Sequence, residues 1–205
     1  MVTKATPRKV HLYVEGGNPK TTGDLTTQAR EAFRNLFSRD GVQVVVKAHG
    51  GRGDTLKAFR LARRLKRHPS DEPVLLLIDA EAPVVDIQRP WEHLKKRDNW
   101  DAEGVPDADV LLMVQVMETW MLGDHDALKA VFPHNLNLTK LPTSSPSVEG
   151  LEKAQVYRSL ALATQDCAKP YGKGDHSFRV VQRLNPDTLR ARLPSFKRAW
   201  ERIHG

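Results

Sequence analysis

The stretch Val74-Leu75-Leu76-Leu77-Ile78-Asp79-Ala80-Glu81 places five apolar residues directly before a pair of carboxylates. An apolar run of this length, without polar alternation, is typical of a strand buried on both faces of a parallel sheet. Ligand sites in such sheets gather at the carboxyl ends of the strands. The stretch therefore predicts a buried parallel strand that delivers Asp79 and Glu81 to a functional site.

Two other apolar runs also end in carboxylates. Residues 10–14 lead into Glu15 and two glycines, and residues 110–116 lead into Met117-Glu118. Because the carboxyl ends of parallel strands share one edge of the sheet, these groups would meet the Asp79/Glu81 pair. Carboxylates that converge repel one another strongly unless a divalent cation lies among them. The sequence therefore predicts a metal site suited to phosphodiester chemistry.

Each group of this site has a predicted role. Asp79, Glu81 and Glu118 would hold Mg²⁺ or Mn²⁺, because these hard cations prefer oxygen ligands. Glu15 would ligate the metal or act as the acid or base on the attacking or leaving oxygen. Lys173, on a glycine-flanked loop, would neutralise transition-state charge on the phosphate. The alternatives are a surface glutamate before a glycine turn, a loop that turns polar on leaving the core, and an ordinary basic turn.

Strands and helices alternate along the first part of the chain, which indicates a parallel sheet with right-handed crossovers. The apolar patterns predict strands at 10–14, 42–46, 74–78 and 110–116, helices at 26–38 and 56–67, and a flexible glycine-rich connection at 50–55. Residues 82–108 are irregular, with a short helix near 91–97. The predicted fold class is α/β, a parallel sheet flanked by helices.

A helical elaboration is predicted after the sheet. We expect a core at 1–132 and a helical segment at 133–205 that packs on it within one domain, with any boundary near 133–148. Helices are predicted at 119–122, 126–132, 149–164 and 186–203, the last divided at Pro194 because proline lacks a backbone donor. Asp124 is interpreted as a helix cap rather than a site residue.

The chain is basic, with a formal net charge of +7 and a sequence pI of about 9.6. A basic surface favours polyanions, and nucleic acid is the commonest polyanion of a cytoplasm. The alternatives are a charge that serves solubility and a solvated basic helix face. The predicted nucleic-acid-binding residues are Arg52, Lys57, Arg60, Arg64 and Lys169.

Cysteine usage and hydropathy indicate the cellular compartment in which we expect the protein. Cys167 is the single cysteine, so an intramolecular disulfide is excluded and a reducing cytoplasm is expected. The polar N-terminus predicts no secretory signal, and no apolar run approaches the ~20 residues of a membrane helix. The histidine spacing does not suit zinc, and the glycines at 50–53 are not followed by the Gly-Lys-Ser/Thr of a P-loop.

The acidic series resembles the Toprim domain of topoisomerases, primases and OLD-type nucleases, which shares a Glu-Gly after strand one and an acidic pair after strand three. Over most of its length the chain is more similar still to a bacterial family, the domain-of-unknown-function-4276 family, which looks Toprim-like. The matching stretches are Val14-Glu15-Gly16, Ile78-Asp79-Ala80-Glu81, residues 115–124, Tyr171-Gly172-Lys173 and residues 189–196. The most specific of them is Met117-Glu118-Thr119-Trp120.

The resemblance implies roles at these positions only. Glu15 would match the Toprim general acid/base or metal ligand. Asp79 and Glu81 would match an Asp-x-Asp metal pair, with a glutamate in place of its second aspartate. Glu118 would be the additional acid of Toprim nucleases. The resemblance also implies an ABC-type ATPase partner and a setting in phage defence.

Two functional classes follow from this reading. The leading hypothesis is a Mg²⁺- or Mn²⁺-dependent nuclease of DNA or RNA that acts as an effector of phage defence. The alternative is a catalytically silent subunit that binds nucleic acid or an ATPase and regulates it, since a fold alone does not determine a function. Metal affinity separates the two, because an active site would be stabilised by its metal.

Overall fold

A computed structural model describes residues 7–16, 23–143 and 148–205. In these residues four parallel strands form one sheet in the order β2-β1-β3-β4. The strands are β1 (Arg8–Glu15), β2 (Val42–His49), β3 (Val74–Asp79) and β4 (Val110–Met113). The predicted α/β class is therefore confirmed. Gly17, the second glycine after Glu15, and part of the predicted boundary at 133–148 lie outside the described residues.

Helices flank this sheet, and most lie where the apolar pattern predicts them. Those described are α1 (Gly23–Phe37), α2 (Arg52–Arg64), α3 (Pro90–Asp98), α4 (Met117–Leu122), α5 (His125–Val131), α6 (Lys153–Thr164), α7 (Asp175–Val181), α8 (Pro186–Arg192) and α9 (Pro194–His204). Pro194 separates α8 from α9 as predicted. Asp124 caps α5, since its Oδ1 accepts the backbone N–H of Asp126 and Ala127 at 3.1 and 3.2 Å.

Two predicted boundaries are wrong at the carboxyl edge of the sheet. Helix α2 begins at Arg52 rather than at residue 56, because extended Gly51 serves as its N-cap and Thr55 returns a hydrogen bond of 3.0 Å to the Gly51 carbonyl. Strand β4 ends at Met113 rather than at residue 116, because its partner β3 ends at Asp79, directly opposite. Glu118 therefore lies in the first turn of α4 and not at a strand end.

Alternate residues of β3 enter two separate hydrophobic clusters, so this strand is buried on both faces as predicted. Leu75 and Leu77 pack with α1 and the helices after residue 133, whereas Leu76 and Ile78 pack with α2 and α3. Helix α7, which the sequence analysis missed, belongs to the first cluster. Among the described residues, none of the helices combines the length and the apolar content needed to cross a membrane.

Candidate metal centre

Three carboxylates meet at the carboxyl edge of the sheet. Glu15 is the last residue of β1, Asp79 is the last residue of the neighbouring β3, and Glu81 follows two residues later. One ligand oxygen from each lies within 4.8 Å of the others. The adjacency of β1 and β3 is what brings together residues that are 64 positions apart in the chain. This is the convergence that the strand-end pattern predicts.

Glu81 reaches the cluster through a turn and not through an extended chain. Its φ of 65° lies in the left-handed region, which non-glycine residues adopt at a cost in conformational energy. Its backbone N–H donates to the Gln115 carbonyl over 2.7 Å, which holds the turn against the segment between β4 and α4. The pair of acids therefore converges by a different geometry from the one expected of an extended i, i+2 pair.

Asp79 is a buried carboxylate with one fixed oxygen. Its exposed fraction is 6%, and its Oδ1 accepts the backbone N–H of Met117 at 2.8 Å. Burial, and then the negative charges of Glu15 and Glu118, raise the pKa of Asp79 well above its usual value, and the Met117 N–H only partly opposes this. A cation among these oxygens would relieve both the desolvation and the repulsion.

Glu15 provides an oxygen that lacks a hydrogen bond. Its Oε2 is buried and has no hydrogen-bond partner within the described residues, although the Arg52 Nε lies 3.9 Å away. Burial is the main cause that raises the pKa of Glu15 to about 7, with Arg52 opposing it and Glu81 adding to it. A buried, unsatisfied carboxylate oxygen beside two further carboxylates fits a hard divalent cation. The residues present could therefore hold a metal ion.

Glu118 lies beside this cluster and is surrounded by hydroxyl groups. It is fully buried, and its Oε1 accepts from the hydroxyls of Tyr171 at 2.9 Å and Ser177 at 3.3 Å. The Tyr157 hydroxyl donates to Oε2 over 3.4 Å. In the described part of the chain, Glu118 is not among the three acids whose ligand atoms meet within 4.8 Å. Its role as a metal ligand therefore stays a prediction, and its hydrogen bonds connect α4 to α6, to α7 and to the loop between them.

Lys173 lies at the same cavity as the carboxylates. Its Nζ donates to the Tyr157 hydroxyl over 3.0 Å, and the side chain lines a cavity together with Glu15, Asp79 and Glu118. Burial lowers the pKa of Lys173, but the Tyr157 hydroxyl and the Glu118 charge outweigh burial, so the net change is upward. The lysine is therefore a cation at neutral pH.

The cavity between these groups is small. Its volume is about 230 Å³, and Gly16 and Phe178 form part of its wall. Gly16 has a φ of 144°, and a Cβ at this position would lie 3.1 Å from the Phe178 ring, so glycine allows α7 to pack over the end of β1. A space of this size suits a hydrated ion and one phosphate group better than a whole nucleotide.

Three more cations surround the carboxylates. Lys153, at the start of α6, forms an ion pair with Glu81 Oε2, and an Arg97 guanidinium nitrogen lies 4.0 Å from the same oxygen. Arg52 is held by a two-point contact with Asp98 at 2.9 and 3.0 Å and packs over Trp100. The sequence analysis missed Lys153 and Arg97 as site residues, because each approaches Glu81 only through the tertiary fold.

The predicted nucleic-acid-binding residues do not all lie at this site. Arg52 does, whereas Lys57, Arg64 and Lys169 are exposed side chains. Arg60 is engaged by Glu103 at 2.8 Å and by the Asp101 carbonyl. Helix α2 runs from the metal centre to the opposite edge of the sheet, where Arg63 donates to the carbonyl of Val74 at the start of β3. Arg64 therefore lies far from the carboxylates, and its role in nucleic-acid binding stays a prediction.

Comparison with known proteins identifies the family. The profile of the family described as Domain of unknown function (DUF4276) matches residues 25–204, so the chain belongs to this family. The match confirms the family resemblance and includes Asp79, Glu81, Glu118 and Lys173, whereas Glu15 lies before it. No curated protein and no solved structure matches the chain.

Proposed function

We propose that this member of the DUF4276 family is a divalent-metal-dependent nuclease that hydrolyses phosphodiester bonds. The observation that carries the proposal is the cluster of Glu15, Asp79 and Glu81, whose ligand oxygens lie within 4.8 Å of one another. Asp79 is buried, and Glu15 has an oxygen without a hydrogen bond. The pKa values of these two groups are both raised. These features are expected of a cation site, and perturbed carboxylates in a cleft are typical of functional sites.

Each residue of the site has a proposed chemical role. Asp79 and Glu81 would hold Mg²⁺ or Mn²⁺, which when bound would polarise the phosphate and activate water for in-line attack. Glu15, whose pKa is raised to about 7 in the metal-free protein, would accept a proton from water or return one to the leaving oxygen. Lys173 presents an ammonium to the same cavity and would stabilise charge on the phosphate oxygens.

The charges around the site favour a phosphate substrate. Five carboxylates (Glu15, Asp79, Glu81, Asp98 and Glu118) lie among four cations (Arg52, Arg97, Lys153 and Lys173). Their formal charges sum to −1, so a bound divalent ion would bring the site to +1. A positive cleft concentrates anionic substrates and accelerates their association. A nucleic acid is the substrate of this kind that the basic composition of the chain favours.

A Toprim-like ancestry, an ABC-type ATPase partner and a place in phage defence belong to the same proposal. The order of the acidic residues along the chain, Glu15, the Asp79/Glu81 pair and Glu118, supports the Toprim-like ancestry, whereas the partner and the setting rest on the family resemblance alone. An ATPase partner would explain how a nuclease of this kind is kept silent until it is needed.

One observation favours the second candidate, a catalytically silent subunit. Lys153 forms an ion pair with Glu81, so one of the three carboxylates already has a cationic partner supplied by the chain. If this pair persists in the presence of metal, the cluster serves as a structural ion-pair network, and the protein would bind nucleic acid or an ATPase without cleaving anything.

A cleavage assay tests the proposal. Plasmid, single-stranded DNA and tRNA are incubated with the protein at low salt in Mn²⁺, Mg²⁺ or EDTA, and products are resolved on gels. We expect cleavage by the wild type that requires metal and is lost in the Asp79→Asn/Glu81→Gln double variant. Glu201→Gln, which alters an exposed carboxylate in α9 that pairs with Lys197, serves as the matched control and should cleave normally. Equal cleavage by the wild type and the double variant would refute the proposal.

A further inference from the structure

Asp98 holds two arginines beside the candidate metal centre and has no assigned role. It is the last residue of α3, and its side chain is 14% exposed. Its Oδ1 and Oδ2 accept from the two terminal nitrogens of Arg52 at 3.0 and 2.9 Å, and Oδ1 also accepts from Arg97. A two-point contact of this kind fixes the orientation of a guanidinium group as well as its position.

Each of these arginines also lies near a different acid of the candidate metal centre. Arg52 Nε is 3.9 Å from Glu15 Oε2, and within the described ranges neither atom has a hydrogen-bond partner. Arg97 Nη2 is 4.0 Å from Glu81 Oε2. Both distances exceed the length of a hydrogen bond, about 2.7–3.2 Å, whereas the contacts of Arg52 with Asp98 do not. The two arginines therefore place positive charge beside the glutamates without hydrogen-bonding to them.

Removal of the Asp98 charge would change this arrangement. Each guanidinium group needs to move by only about 1 Å to form a hydrogen bond of about 2.9 Å with its glutamate. Arginine forms its strongest hydrogen bonds with carboxylates, so Glu15 and Glu81 would replace the lost partner. Their oxygens would then be shared between an arginine and a metal ion, and metal binding would weaken.

We propose that Asp98 is a positioning residue that holds Arg52 and Arg97 close to the carboxylates of the candidate metal centre but not bonded to them. Glu15 and Glu81 thereby stay available to a divalent cation. This inference rests on the proposed function and adds a residue that prepares the same site. Arg52 then serves Glu15 rather than nucleic acid, since its side chain is 12% exposed and both of its terminal nitrogens are bonded to Asp98.

Calorimetric titration with Mn²⁺ tests this inference without an assay of cleavage. Asp98→Asn keeps the shape of the side chain but removes the charge that holds the arginines, and we expect it to raise the Kd for Mn²⁺ about three- to tenfold. Addition of Arg52→Gln and Arg97→Gln to Asp98→Asn should return the Kd to the wild-type value or below it, because the competing cations are then gone. If Asp98 served folding alone, this triple variant would bind as weakly as Asp98→Asn does, which would overturn the inference.

Two controls separate this role from a general effect of charge or stability. In the wild type, where Asp98 holds the arginines away from the glutamates, the two arginine substitutions should change the Kd less than they do in Asp98→Asn. Equal effects in the two backgrounds would show an action of charge at a distance and overturn the inference. Asp109→Asn is the matched control, because Asp109 also lies between two arginines, Arg63 and Arg202, but at the opposite edge of the sheet. Its Kd for Mn²⁺ should equal that of the wild type, and a loss as large as in Asp98→Asn would also overturn the inference.

Metal binding and cleavage by the wild type separate this inference from the proposed function. A wild type that binds no Mn²⁺ would refute both. Mn²⁺ binding that responds to Asp98→Asn as expected, without cleavage of any nucleic acid, would keep the positioning role and refute the nuclease. Metal-dependent cleavage by the wild type, together with an unchanged Kd in Asp98→Asn, would refute the positioning role alone.

Discussion

The backbone N–H of Met117 donates to Asp79 Oδ1 over 2.8 Å, so the first turn of α4 fixes the buried carboxylate of the candidate metal centre. This bond engages one of the two carboxylate oxygens of Asp79. A neutral amide could accept the same hydrogen bond through its own oxygen. The charge of Asp79 can therefore be removed without removing its structural contact.

Asp79→Asn is expected to stabilise the metal-free protein while it abolishes stabilisation by metal. The substitution removes a buried negative charge that Glu15 and Glu118 repel, and we expect a gain in the free energy of unfolding of about 1–2 kcal/mol. Thermal unfolding in EDTA and in MnCl₂ measures both effects. The wild type should melt at a higher temperature with Mn²⁺, and the variant should not.

Asp109→Asn provides the contrast for this experiment. Asp109 is also buried, but its oxygens lie 2.6 and 2.7 Å from Arg63 and Arg202 at the opposite edge of the sheet. The same substitution there should destabilise the protein, because it leaves two partly buried guanidinium groups without their anion. If Asp79→Asn destabilises the protein as Asp109→Asn does, the carboxylates of the metal centre do not repel one another as proposed.

The stability of the metal-free protein should fall as the pH rises through the titration of Glu15. Its pKa is about 7 in the folded protein against 4.5 for the free side chain, so the folded state binds the proton more tightly. The contribution is fully present below pH 4.5 and is lost as the pH rises to about 7, by roughly 2–3 kcal/mol. Urea unfolding in EDTA over this range measures it, and Glu15→Gln should flatten the dependence.

The stabilisation that Mn²⁺ provides should increase as the pH rises, in contrast to the falling stability of the metal-free protein. Protons and Mn²⁺ compete for the same oxygens, so the rise in melting temperature caused by Mn²⁺ should grow between about pH 6 and pH 8. A shift that stays constant over this range would show that the metal binds elsewhere or that Glu15 is not part of its site. Glu201→Gln again serves as the control, since it changes an exposed carboxylate.

Glu118 should prove more important for stability than for metal binding. Glu118→Ala would leave the hydroxyls of Tyr171 and Ser177 without their buried acceptor and is expected to cost about 2–4 kcal/mol. Glu118→Gln keeps the accepting oxygen and should cost much less. Urea unfolding of the two variants makes the comparison, and loss of Mn²⁺ stabilisation in Glu118→Gln would instead identify Glu118 as a metal ligand.

The parts of the structure that sequence reasoning predicted are those carried by local patterns. The apolar runs before Glu15 and Asp79 indicate buried parallel strands, and a parallel sheet collects strand ends at one edge. The left-handed turn at Glu81 was not predictable, because glutamate has no preference for it and the Gln115 carbonyl that holds it lies on another segment. Tertiary contacts determine that turn.

Two other differences between the predicted and the observed helices also come from tertiary contacts. The glycines before α2 favour a loop in sequence, but Gly51 caps the helix and lets Arg52 begin it beside Glu15. Helix α7 is short and follows a glycine-rich loop, and its Ser177 and Phe178 contact Glu118 and Gly16 from a distant part of the chain. Such helices form by packing rather than by intrinsic propensity, so their residues give little local signal.

Substitution of Lys153 tests whether its ammonium competes with a metal ion for Glu81. Lys153 lies 72 residues after Glu81, and its ammonium contacts Oε2, one of the two Glu81 oxygens that could bind the proposed metal. Removing this competing cation should strengthen metal binding, so we expect Lys153→Met to lower the Kd for Mn²⁺ about three- to tenfold. The side chain is 36% exposed, so water screens the ion pair and limits the gain. Isothermal titration calorimetry at constant pH measures it.

Lys153→Arg retains the charge at the same position and should leave the affinity close to that of the wild type. An opposite result, weaker Mn²⁺ binding in Lys153→Met, would mean that the lysine orients Glu81 for the metal instead of competing with it. If neither variant nor the wild type binds Mn²⁺, the ion pair is part of a permanent network, and the silent-subunit function becomes the better account of the cluster. The calorimetry thus decides between the two functional classes without an assay of cleavage.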